Sequence, residues 1–281
     1  MPVRNPIEWS LDQARGAAIA IGANAAPPVA VPPPAIARIS SADLKAALAE
    51  GYADFLANRT DVILLCVFYP VMGLLLARFA SGEDTLPLLF PLIAGFALIG
   101  PLAATGLYEI SRRREAGEET SWTDAFAVLR SPSLFSLIAL GCVLAALFAL
   151  WLAAAEALYL ATIAGTYPPG LSGFATAVFT TSSGQAMIVA GFVIGYVFAA
   201  VVLAVGVVSF PMLVDRPVGI EVAVRTSLRA VAANPVTIAL WGLTVAVLLA
   251  VAAIPLFVGF VVALPILGHA TWHLYRRLVP V

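Results

Sequence analysis

Charge is scarce in this chain. Asp, Glu, Lys and Arg make up 11% of its 281 residues, against 62% hydrophobic residues, whereas soluble domains average about 25% charged. The shortage excludes an ordinary soluble domain and points to apolar faces covered by lipid as well as by protein. The net charge of −1 excludes the basic balance of a nucleic-acid binder, so no nucleic-acid partner is expected. Histidine and cysteine are rare too, with two of each. Cys66 and Cys142 are too few for a disulfide framework or a cluster motif, and inside apolar segments they read as small buried hydrophobes. The phosphate-loop patterns G-x-x-x-x-G-K-[ST] and G-x-G-x-x-G are missing, as are G-x-S-x-G and H-E-x-x-H. No metal site and no cofactor is implied. A secretory signal is lacking as well, because Glu8 and Asp12 stand where its apolar region would be.

What the chain does have is apolar length. Five blocks stand out, at 62–80, 86–108, 134–161, 184–214 and 236–268. A helix crosses a bilayer in about 20 residues, so four blocks are single spans. The fifth would be about 50 Å long as one helix and is predicted to break near Pro255 into spans 236–253 and 255–275. Arginine placement agrees. Arg38, Arg59, Arg112 to Arg114, Arg130, Arg216, Arg225, Arg229, Arg276 and Arg277 fall on one side of a six-span chain, which places both termini in the cytoplasm.

The sequence also repeats itself. An offset of 164 carries Pro91, Gly95, Phe96, Pro101, Arg112 and Arg113 onto Pro255, Gly259, Phe260, Pro265, Arg276 and Arg277. Each pair of spans has an amphipathic preface with apolar residues at i, i+3, i+4 and i+7. These are 41–56 (Leu44, Ala47, Leu48, Gly51, Phe55), 121–129 (Trp122, Ala125, Phe126, Leu129) and 220–231 (Ile220, Ala223, Val224, Leu228, Val231). Ser40 with Asp43 and Ser121 with Asp124 have cap spacing, while Ser131-Pro132 and Asn234-Pro235 signal new helices. The expected fold is all-α: a polytopic bundle of six transmembrane helices arranged as three hairpins, each preceded by an amphipathic interfacial helix. Residues 1–39, a short helix and a proline-rich linker, precede a transmembrane domain at 40–281.

The stretches "NPIEW", "RTDVI", "GFALIGP", "YEISRRRE", "SWTDAF", "SFPMLVDR" and "GHATWHLYR" resemble an uncharacterised bacterial family of integral membrane proteins, filed as a domain of unknown function. The resemblance implies an inner-membrane location and no reaction. Members are sometimes labelled cytochrome c oxidase subunit I. Such a subunit resembles a larger bundle whose haem and copper ligands are several intramembrane histidines. This chain has only His269 and His273, near one helix end, and the label does not describe its chemistry.

Three groups of residues are candidates for function. His269 and His273 share a helix face, and the 164 offset makes Glu109 the partner position of His273, so the three form a candidate polar cluster at the cytoplasmic boundary. Arg78 and Glu156 lie about 24 and 33 Å along their spans and form a candidate ion pair near the outer interface. Pro70, Pro101, Pro211 and Pro265 are candidate helix kinks, while Gly95, Gly100, Gly191 and Gly195 are read as close-packing points. Together these features suit a non-catalytic scaffold, assembly or regulatory component in contact with the bilayer and with another membrane protein. A small transporter or channel, or a lipid-active membrane enzyme, are the alternatives.

Overall fold

Ser40 and Asp43 open the first helix as their spacing predicts: the Asp43 carboxylate accepts from the Ser40 N–H and from its hydroxyl, each at 2.8 Å. The computed structural model describes residues 34–57, 86–96, 100–167, 170–255 and 258–280, and the described residues are helical with no strand. Helix α1 (Ser41–Ala57) buries Leu44, Ala47, Gly51, Asp54 and Phe55 along one stripe. The 86–108 block is not a single rod. It comprises a 3-10 turn at Leu86–Leu88, α2 (Leu89–Phe96), α3 (Gly100–Ala103) and α4 (Thr105–Glu115).

The second preface departs from its predicted α geometry. Residues Trp122–Arg130 form a 3-10 helix, started by the Ser121–Asp124 capping box. Three residues per turn align 122, 125 and 128. Val128 therefore points inward and Ala125 lies against Gly106, while Phe126 and Leu129 turn outward. This corrects the face read from α-helical spacing.

Three described helices are long and apolar enough to cross a membrane: α5 (Leu134–Thr162), the rod Ser182–Asp215, and α10 (Pro235–Ala253). The rod consists of α7 (Ser182–Gly206) and α8 (Ser209–Asp215), parted at Val207 and Val208. In its most apolar window only 6% is buried inside the protein. So apolar a surface facing outward requires lipid around it. Cys142 on α5 is likewise exposed, which corrects its reading as a buried hydrophobe, since in this setting apolar side chains also face outward. Between α5 and α7 lies α6 (Leu171–Thr180), an apolar helix that falls between the long apolar blocks of the sequence. The break expected near Pro255 is present, as α10 ends at Ala253 and α11 starts later (Phe260–Leu278).

The third preface is α9 (Ile220–Ala233), which buries Ala223, Thr226, Ser227 and Ala230 and exposes Leu228. Of the apolar stripe read in the sequence, Ala223 is buried and Ile220, Val224 and Val231 pack partly against the core, while Leu228 points outward and Thr226 and Ser227 complete the inward face. Small residues let helices approach closely, while bulky ones are as well solvated by lipid as by protein. Ser227 shows the benefit. Its hydroxyl donates to the Ala204 carbonyl at 2.7 Å and accepts from the Val208 N–H at 3.2 Å, filling the break ahead of Pro211.

The core lies where α4, α8 and α11 meet, around Tyr108, Phe210, Met212, Leu213, Trp272 and Tyr275. The prefaces pack outside it: α1 on α11, the 3-10 helix on α4, and α9 on α7 and α8. Asn234 ties the entry of α1 to this core, bonding the Ile39 N–H and the Ala37 carbonyl, while the Ala37 N–H donates to the Leu278 carbonyl.

Candidate functional site

The two histidines converge on Asp54, a residue outside the candidate polar cluster. Gly51 lets α1 approach α11 so closely that a Cβ there would lie 2.5 Å from the Ala270 backbone nitrogen. One turn on, Asp54 sits in the seam between α1, α4 and α11. Its Oδ2 accepts from Ser111 Oγ at 2.6 Å and lies 2.8 Å from His273 Nε2, while its Oδ1 is 3.1 Å from Arg114 Nε. Ser111 Oγ is also 2.8 Å from His269 Nδ1. A hydroxyl has one proton, and here it points to the carboxylate, so Nδ1–H of His269 donates to Ser111. His269 Nε2 is then a bare lone pair, buried and without a partner. His273 Nδ1 is 3.2 Å from Glu50, which Arg277 grips with both terminal nitrogens at 2.7 and 2.8 Å.

The electrostatics follow from these contacts. Burial pushes the Asp54 carboxyl up, but hydrogen bonds from His273 and Ser111 and the nearby imidazole charge outweigh it, and the group is held below the usual carboxylate range. Glu50 is lowered chiefly by the hydrogen bond from Arg277, against a smaller effect of burial. The signal for Asp54 was legible, because it continues the buried Leu44, Ala47, Gly51 stripe. An acidic residue there breaks the apolar pattern and calls for a cationic neighbour.

Glu109 stands in a different network. Arg112 holds it through Nε and Nη2 and Arg113 through Nε, each at 2.7 Å, and Arg113 reaches on to Asp124 at 2.8 Å. Burial would raise the Glu109 carboxyl, but the two guanidiniums hold it low. A third network surrounds Asp215, which accepts from Tyr275 Oη at 2.6 Å and pairs with Arg216 at 3.0 Å. Arg276 links Asp215 to Glu115, and Trp272 Nε1 donates to Glu115 at 3.0 Å.

Of the remaining candidates, Glu156 is half-buried on α5 with no ion pair among the described residues, and Arg78 lies outside them. Pro70 lies outside them too. Pro101 is in α3, Pro211 follows the α7–α8 break, and Pro265 is inside α11. Gly95 faces Phe148 and Trp151, and Gly195 faces Trp151, as packing points. A side chain at Gly100 would meet nothing among the described residues. No group of three or more His, Cys, Asp or Glu among the described residues is arranged to hold a metal ion.

Ser111 and His269 are 1% and 0% exposed. The cluster joins α1, α4 and α11, with Glu50 and Arg114 at its exposed edge.

Residues 89–215 match the model of a family described as a predicted integral membrane protein (DUF2189). The match runs from α2 to α8, so the resemblance read from "GFALIGP", "YEISRRRE" and "SWTDAF" holds over that stretch. It includes Glu109, Ser111 and Arg114 and leaves out Asp54, His269 and His273. The clasp around Asp54 therefore has Ser111 and Arg114 within the DUF2189 stretch and Asp54, His269 and His273 outside it. No curated protein and no solved structure matches the chain.

Proposed function

We propose that the protein is a non-catalytic scaffold, assembly or regulatory component of the bacterial inner membrane, built from three copies of one unit: an interfacial preface, a span out and a span back. Both termini then lie in the cytoplasm. The observation that supports the scaffold reading is the closure of the Asp54 cluster. Asp54 and its partners join α1 to α4 and α11, and Asp54, Ser111 and His269 are buried. A catalytic constellation needs its acid, base or nucleophile within reach of a substrate.

The pattern of docking supports the repeat. Each preface packs on the return helix of the preceding unit, and α1 closes the ring on α11. Arg113 and Arg277, equivalent under the 164 offset, each approach the capping aspartate of the preface they receive, Asp124 at 2.8 Å and Asp43 at 3.9 Å. The broken rod at Val207–Val208 is the feature a transporter would share. Its backbone groups are satisfied by Ser227, which favours the scaffold.

The test is purification of the full chain in mild detergent, with identification of what accompanies it, beside a variant lacking residues 1–39. The proposal expects a membrane-protein partner that is reduced in the truncated variant at equal membrane insertion. A substrate-dependent flux or turnover by the chain reconstituted alone in liposomes would contradict it.

A further inference from the structure

At the junction of α4, the 3-10 helix and α8 lies a pocket of about 310 Å³, lined by Glu109, Arg112, Arg113, Val128, Arg130 and Ser131 among others. Arg112 and Arg113 share Glu109 there, and Arg113 also meets Asp124 at 2.8 Å and Glu118 at 3.9 Å. Arg112 turns Nε and Nη2 to Glu109, and no hydrogen bond from its Nη1 is made among the described residues. Arg130 is exposed and makes no ion pair among them. Arg130 thus brings an unmatched positive charge to the pocket and Arg112 a spare N–H donor, the chemistry that recognises a phosphate.

Exposed apolar residues that neighbour the pocket lining along the chain point to what carries the phosphate. Phe126 and Leu129 on the 3-10 helix are 50% and 62% exposed, and Phe135 and Ile138 at the start of α5 are 64% and 51% exposed. Trp122 stacks edge-on against Phe126, an aromatic pair suited to the headgroup level. Since α5 is a membrane-crossing helix, its exposed apolar face starts directly beyond the arginines. A soluble anion would have no use for that surface. We propose that the pocket binds the headgroup phosphate of an anionic phospholipid, with the acyl chains lying along Phe135 and Ile138. The proposal is independent of the scaffold reading and needs only the membrane setting.

The experiment is native mass spectrometry of the full chain in detergent, titrated with phosphatidylglycerol or phosphatidylcholine. The wild type is expected to retain one phosphatidylglycerol in preference to phosphatidylcholine. R130Q should weaken phosphatidylglycerol retention roughly fivefold, the factor for one basic side chain at an anionic surface. R225Q, on the exposed outer face of α9, should leave it unchanged. Equal retention by R130Q and the wild type would overturn the proposal. So would full displacement of the lipid by millimolar inorganic phosphate, which would mark a site for the free anion.

Discussion

Asp54 illustrates how a single residue sets the entry of the chain into the core. A buried carboxylate is costly unless paired, and removing it takes the partner from Arg114 Nε, Ser111 Oγ and His273 Nε2 at the seam of three helices. D54A should therefore destabilise the protein by about 3–5 kcal/mol, read as a lowered Tm in detergent. The pH dependence has a definite sign. Asp54 and Glu50 titrate below their ordinary values of 3.8 and 4.5. Their contribution is fully present above that range and is lost as pH falls through the lowered folded-state values. Melting curves should show the wild type losing stability in this acid window and D54N losing less. Identical acid profiles would remove Asp54 from the account. At this scale the sequence was partly legible. The i, i+4 spacing put His269 and His273 on one face, but repeat arithmetic pointed to Glu109, whereas tertiary packing brought Asp54 from 215 residues and more away. A carboxylate on another helix cannot be found from spacing along one helix.

Close approach governs how the elements fit. Gly51 on α1 and Gly184 on α7 each occupy a place where a Cβ would run into backbone, at Ala270 in the first case and at the Ala177 and Val178 carbonyls in the second. Gly51→Leu should lift α1 from α11 and expose the clasp, while Gly184→Leu should lift α6 from α7 and leave α1 seated. Hydrogen exchange at α1 and α6 in the two variants separates these effects. If both variants loosened the same helix, the contacts would be misassigned. Helix starts were the most legible feature of the elements, because Ser40–Asp43 and Ser121–Asp124 are local signals read by local hydrogen bonds and Pro235 opens α10 by its own backbone geometry. Inward faces were less legible. Leu228 and Phe126 look like core residues in any apolar-moment argument, yet lipid accepts them as readily as protein does. The small residues Ala223, Ser227 and Ala230 mark the true contact face of α9.

At the scale of the described residues as a whole, charged networks and the ends of α4, α8 and α11 gather in one core, while the apolar helices α5, α7 and α10 bury little of their surface inside the protein. The helix is interrupted between α10 and α11, and Arg276 and Arg277 pair with Glu115 and Glu50. The proposed topology needs the chain to cross back there, and cysteine labelling in intact cells tests it most directly. With Cys66 and Cys142 replaced by serine, single cysteines are placed at Glu119, at Thr166 and after Val281, and a membrane-impermeant maleimide is added from outside. The account predicts labelling at 166 in intact cells, and labelling at 119 and at the C-terminal position only after permeabilisation. Labelling of the C-terminal cysteine in intact cells, with 119 still protected, would contradict it.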